Sequence, residues 1–218
     1  MGSQLTDRYI PMAIVLVIAL TFHEFAHAWS AHYLGDDTAY DEGRVTLNPL
    51  AHLDFLGSVC FLFTGFGWAK PVPVNILRLS KPRRDDFIVS AAGPMANIAL
   101  ALLSSGILRT LVYLNIFQGK QDIPLLQLLF IVLHFMVLYN IMLALFNLIP
   151  IGPLDGSHMM ANFLEKKQSI IFREYNDAYG TWMLLIFLLL PRMTNGTIDP
   201  FEWILSPPIR FFYQLLTP

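Results

Sequence analysis

The sequence predicts an all-α polytopic membrane protein: a three-helix core, a membrane-re-entrant β-like or loop segment between the first two helices, and at least one further hydrophobic helix towards the C-terminus. Three observations carry that reading. Hydrophobic residues make up 55% of the 218 positions and charged residues only 14%, against the roughly 25% with which a soluble domain covers its surface. Mean hydropathy is +0.53. The apolar residues are gathered into runs at 9–22, 88–103, 125–149 and 182–190; with their flanks, the first three approach the ~20 residues a helix needs to cross a bilayer.

The first helix is expected over about 8–33, stopped by Leu34-Gly35, since glycine closes helices. Residues 35–49 are polar and turn-rich, hence a loop. The apolar stretch 55–66 is too short for a span: at 1.5 Å per residue it covers about 18 Å of a hydrocarbon core of about 30 Å. Gly57, Gly65 and Gly67 punctuate it, and Pro71 and Pro73 at alternate positions suit an extended edge. Residues 53–75 are therefore read as entering the membrane and returning, which is tolerated where protein covers the backbone or water lines it. The second helix is expected over 85–114 and the third over 124–149, ending at Asn147-Leu148-Ile149-Pro150. Beyond it lie a short helix at 157–163, a polar connector at 165–179 and a hydrophobic helix at 181–190 closed by Pro191. Residues 1–156 thus form the core, and 157–218 a C-terminal connector, helix and tail.

Several function classes drop out. A net charge of −2 with no long basic run offers no field for a nucleic-acid backbone. The single cysteine, Cys60, excludes an internal disulfide framework or a cysteine zinc cluster. The run at 9–22 is followed by His23-Glu24, unlike a signal-peptide cleavage site.

His23-Glu24-Phe25-Ala26-His27 lies inside the first helix. At about 100° per residue the two histidines fall on one face, so both imidazoles can reach one ion, with Glu24 beside them to hydrogen-bond a metal-bound water. Three ionisable groups in an apolar helix cost several kcal/mol unless something neutralises them; packing against other polar groups is the weaker alternative. Zinc suits nitrogen and oxygen ligands, but a hydrolytic site usually has three protein ligands plus water. His32 falls on the opposite face, His52 in a loop, and His134 in mid-helix as a hydrogen-bonding residue between helices. Asp155 and His158, past the third helix, remain as candidates.

The histidine motif, taken with the stretch from Asn147 to Gly156, resembles the site-2 protease family of intramembrane zinc metalloproteases. That stretch fits the family's Asn-x-x-Pro-x-x-x-Leu-Asp-Gly at each specified position. Gly67-Trp68-Ala69-Lys70-Pro71-Val72-Pro73-Val74-Asn75 and Ala92-Gly93-Pro94-Met95-Ala96-Asn97 are similar to segments of its compact prokaryotic branch. The resemblance covers residues 10–156 and implies one zinc ion per chain, with Asp155 as third ligand and Glu24 as catalytic base. It implies Asn97 and Asn147 as cleft-lining substrate or oxyanion contacts, and Gly65, Phe66 and Gly67 as part of an element that holds substrate as an added strand. The implied activity is cleavage of transmembrane segments of single-span membrane proteins in the lipid bilayer, under a regulatory membrane partner that the sequence does not name.

Parity supports the pairing of the motifs. The histidines lie towards the C-terminal end of the first helix and Asp155 beyond that of the third, so they meet only if 53–75 returns to its own side. That side carries Arg44, Lys70, Arg78, Lys81, Arg83, Arg84, Lys166, Lys167 and Arg173, nine of the 14 Lys and Arg. The excess places the active site near the cytoplasmic face of the cell membrane. The competing reading is a non-proteolytic zinc-binding membrane protein, a transporter or an inactive protease homologue; such a protein needs no base, and Glu24 is intact. A di-iron oxidase would need more histidine pairs than the six histidines provide.

Overall fold

The computed structural model describes residues 2–64, 67–118 and 123–218, with side chains described over 9–60, 67–118 and 123–218. In chain order the helices are α1 (Gly2–Tyr33), α2 (Thr38–Asp41), α3 (Phe55–Thr64), α4 (Pro82–Tyr113), α5 (Pro124–Asn147), α6 (Asp155–Phe163), α7 (Lys166–Met193), α8 (Pro200–Ile204) and α9 (Ser206–Leu216). Three stretches are long and apolar enough to cross a membrane: Tyr9–Tyr33 of α1, Pro82–Tyr113 and Pro124–Asn147. These are the three expected spans, and α1, α4 and α5 pack on one another. Small residues let them approach closely: Ala19, Ala28, Ala101 and Ala144 are buried, as expected where lipid supplies no hydrophobic drive and packing decides. Prolines open α4 and α5 at positions whose N–H would have no helical partner.

Three expectations change. Among the described residues there is no strand, so the segment at 53–75 is not β-like throughout. Its apolar part is the ten-residue α3, because a run without proline satisfies its backbone best within itself. From Gly67 the chain continues as an extended stretch, with one isolated antiparallel bridge between Leu53 and Ala69 and a bond from Lys70 N to His52 O of 2.7 Å. The two ends of the segment are therefore neighbours. Gly57 makes this possible, since a Cβ there would strike the Trp68 backbone.

Second, the connector at 165–179 and the helix at 181–190 form one helix, α7, with Pro191 inside its last turn. No proline precedes Pro191 in that stretch and its one glycine, Gly180, leaves the helix unbroken, so polarity alone did not interrupt it. Third, α6 starts at Asp155, two residues before the short helix expected at 157–163. The tail also folds back: α9 packs on α5, and Arg109 of α4 donates to the carbonyls of Leu215 (2.5 Å), Leu216 (3.2 Å) and Thr217 (3.3 Å). Those are C-terminal helix carbonyls left without intrahelical donors.

Two buried charges hold the extended stretch. Asp36 accepts from Asn75 N (2.6 Å) and from the Thr38 hydroxyl (2.5 Å). The Arg44 guanidinium donates to the carbonyls of Lys70 (2.6 Å) and Pro71 (3.2 Å).

Candidate metal centre

His23, Glu24 and His27 are buried on α1, and the start of α6 brings Asp155 to them. Asp155 Oδ2 lies 3.2 Å from His23 Nε2 and Oδ1 lies 3.3 Å from His27 Nε2. The two Nε2 atoms are 3.1 Å apart, and one ligand atom from each of the three residues lies within 4.8 Å of the others.

The other edge of each imidazole decides what these atoms offer. His27 Nδ1 is 2.7 Å from Val89 O, a carbonyl that can only accept, so Nδ1 carries hydrogen. His23 Nδ1 is 2.7 Å from Asn97 Oδ1. The Asn97 amide is oriented by its own donations from Nδ2, to Ala19 O (3.2 Å) and to Asn140 Oδ1 (2.8 Å). Asn140 Nδ2 donates in turn to Met136 O (2.8 Å). The chain ends on backbone carbonyls, so His23 Nδ1 is also a donor. In the neutral imidazoles both Nε2 atoms therefore present lone pairs to each other and to a carboxylate. That arrangement repels unless a proton or a metal cation sits within it.

The surroundings fit a metal. Asp155 Oδ2 is buried with no hydrogen-bond partner. Gly93 of α4 faces the two rings so closely that a Cβ would lie 2.6 Å from His23 Cε1 and 2.7 Å from His23 Nε2, and closer still to His27 Nε2. Burial opposes the charge on Asp155, but with a proton on the adjacent imidazoles their positive charge outweighs it and holds its carboxyl well below the usual range. Two imidazole nitrogens and a carboxylate are a donor set suited to zinc, which leaves a fourth position for water or substrate.

The triad opens on a cavity of about 960 Å³, lined also by Glu24, by Leu16 and Leu20 of α1, and by Leu143, Phe146 and Asn147 of α5. Gly67, Trp68 and Val72 of the extended stretch form another wall, and Leu184, Leu188, Phe201 and Leu205 cover it from α7 onward. Asn147 thus lies on the cavity, its Nδ2 donating to Leu143 O (3.0 Å). Asn97 is fully buried, with its amide oxygen on His23 Nδ1 and its nitrogen on Ala19 O and Asn140 Oδ1. Gly65 and Phe66 lie outside the described residues.

Of the two third-ligand candidates, Asp155 faces both imidazoles, whereas His158 Nδ1 is 3.7 Å from Asp86 Oδ1. His32 pairs with Asp37 (2.5 Å) and His52 Nε2 with Thr46 O (2.8 Å). His134 bonds Phe130 O of its own helix (2.9 Å) rather than a neighbouring one. Sequence reasoning missed Asn140, whose signal is an amide inside an apolar run, and gave Gly93 no role although it stands in the Ala92–Asn97 stretch.

The model of peptidase family M50 matches residues 112–190. A Bacillus subtilis (strain 168) protein named as a zinc metalloprotease, YwhC, is 35% identical over 180 residues, covering 83% of this chain and 80% of the relative. Rip2 of Mycobacterium tuberculosis (strain ATCC 25618 / H37Rv), also named as a zinc metalloprotease, is 30% identical over 197 residues, covering 86% and 70%. Rip2 of Mycolicibacterium smegmatis (strain ATCC 700084 / mc(2)155) is 27% identical over 201 residues, covering 87% and 72%. No solved structure matches the chain. An arrangement of two histidines, one aspartate and an adjacent glutamate among apolar helices thus comes with relatives named for the chemistry it suits, and the chain belongs to peptidase family M50, the membrane zinc metalloproteases.

Proposed function

We propose that this peptidase cleaves within the membrane, hydrolysing peptide bonds in transmembrane segments of single-span proteins, with its active site near the cytoplasmic face. The observation that carries the reading is that the triad and Glu24 open on a mostly apolar cavity walled by two spanning helices, α1 and α5.

One zinc ion held by His23, His27 and Asp155 would supply a Lewis acid and lower the pKa of water to about 7. The protein's own groups do the rest. Glu24 takes the proton of the attacking water and returns it to the leaving amine. Val89 O and Asn97 hold Nδ1–H of the two imidazoles and so keep both Nε2 atoms as donors to the metal. Asn147, which lines the cavity, would donate to the developing oxyanion once its bond to Leu143 O is given up. The extended stretch from Gly67, held from behind by Arg44, offers a backbone edge for an unwound substrate to pair with. Unwinding is required because a helical substrate's peptide groups are closed in its own hydrogen bonds, so segments with weak helix formers are preferred. A regulatory membrane partner would act by controlling access to this cavity.

Co-expression with a library of single-span membrane proteins tests the reading. Wild type should yield cleavage products that Glu24→Gln lacks, with cleavage down by about 10²–10⁴-fold as for loss of a general base. Products of equal amount from both would remove Glu24 from catalysis.

A further inference from the structure

His23 and His27 ride on α1, which the core fixes, but Asp155 does not belong to a spanning helix. It is the first residue of α6, after the loop that follows α5, so something else must hold it to the fraction of an ångström that a metal site needs. Three residues of α7, Arg173, Asn176 and Gly180, share one face, spanning about 60° of the helix. Each touches a residue flanking Asp155 in sequence.

Before Asp155 the contact is at Gly152. Its N–H donates to Asn176 Oδ1 at 2.7 Å, while Asn176 Nδ2 donates to Phe172 O at 3.0 Å, which fixes the amide's orientation. Gly180 lies so near that a Cβ on it would sit 2.5 Å from Gly152 O and 2.9 Å from Gly152 C. After Asp155 the contacts are at His158 and Asn162. Arg173 Nη2 donates to Asn162 Oδ1 (3.3 Å) and to the buried Asp86 Oδ2 of α4 (2.8 Å), and Nη1 lies 3.4 Å from His158 Nδ1. Asn162 Nδ2 donates to the same Asp86 oxygen (2.7 Å). The α7 face therefore grips the chain on both sides of Asp155 and ties it, through Asp86, to the helix that carries Gly93 and Asn97. Among the described residues α7 packs chiefly on α6 and α8 and meets the three-helix core through Arg173 and Asp86, so loosening the Asn176 and Gly180 contacts moves the ligand without dismantling the bundle.

We propose that Arg173, Asn176 and Gly180 are positioning residues that set Asp155 against His23 and His27, and with it the affinity of the site for zinc. The inference rests on the zinc reading above. The test is competition for zinc against chelators of graded strength, on the full chain, with the melting temperature of the zinc-free protein measured alongside. Asn176→Leu, which removes the acceptor for Gly152 N–H, and Gly180→Ala, which forces α7 off the loop, should each weaken zinc binding by about 10–100-fold, the range for outer-shell supports. The zinc-free melting temperature should barely change, and Asn176→Asp, which keeps an acceptor, should recover most of the affinity. Wild-type affinity in both variants would overturn the proposal. So would a loss that tracks a fall in zinc-free melting temperature and is not recovered in Asn176→Asp, since that marks a structural role alone. His23→Ala separates the two readings. If it loses zinc while the α7 variants keep it, only the positioning role falls; if it keeps zinc, the metal reading falls and this inference with it.

Discussion

At the scale of single residues, the site depends on groups that never touch a substrate. Removing the Asn97 amide leaves His23 Nδ1 without its acceptor, so Asn97→Ala should weaken zinc binding by about 10–100-fold, and wild-type affinity in that variant would remove Asn97 from the support of the site. Gly93 gives a prediction set by close packing. Alanine is favoured over glycine within a helix by about 1 kcal/mol, but its Cβ would overlap both buried imidazoles, which are held from behind by Asn97 and Val89. Gly93→Ala should therefore lose zinc and cleavage and lower the melting temperature of the zinc-free protein; zinc bound at wild-type affinity would contradict the packing described. His23, Glu24 and His27 were legible in the sequence because helical period alone puts two histidines on one face. The roles of Asn97 and Asn140 were not, because they come from α4 meeting α1 across 74 residues of sequence and α5 meeting α4 across 43.

At the scale of elements, the test is which side of the membrane each loop faces. The Leu53–Ala69 bridge makes neighbours of the ends of the segment that carries α3. Cysteines placed singly at Asp41 and Arg83, in a Cys60→Ser background, should therefore both react with an impermeant reagent from the cytoplasmic side. Labelling from opposite sides would make α3 a true crossing and would separate Asp155 from the histidines. Labelling of both from outside would keep the metal site and reverse the proposed orientation. The three spans could be read from sequence because long apolar runs have one stable form in lipid. The helical state of α3 and the continuity of α7 could not. A ten-residue apolar run suits helix or extended chain equally, and the polar half of α7 is held by contacts with α6 that no local pattern announces.

For the whole molecule, the cavity joins residues as distant as Ala13 and Ile209, so no stretch of sequence contains it. If it is where substrate lies, narrowing it should hurt cleavage and spare the metal. Leu143→Trp is expected to lower cleavage at least tenfold with zinc content unchanged, and undiminished cleavage would move the substrate path elsewhere. The central claim is that His23, His27 and Asp155 hold one zinc ion while Glu24 does chemistry and His158 does not ligate. Zinc per chain, measured on the purified protein and its variants, tests it most directly. Wild type, Glu24→Gln and His158→Ala should each carry close to one zinc, and His23→Ala and Asp155→Ala close to none; zinc retained by Asp155→Ala but lost from His158→Ala would contradict the account.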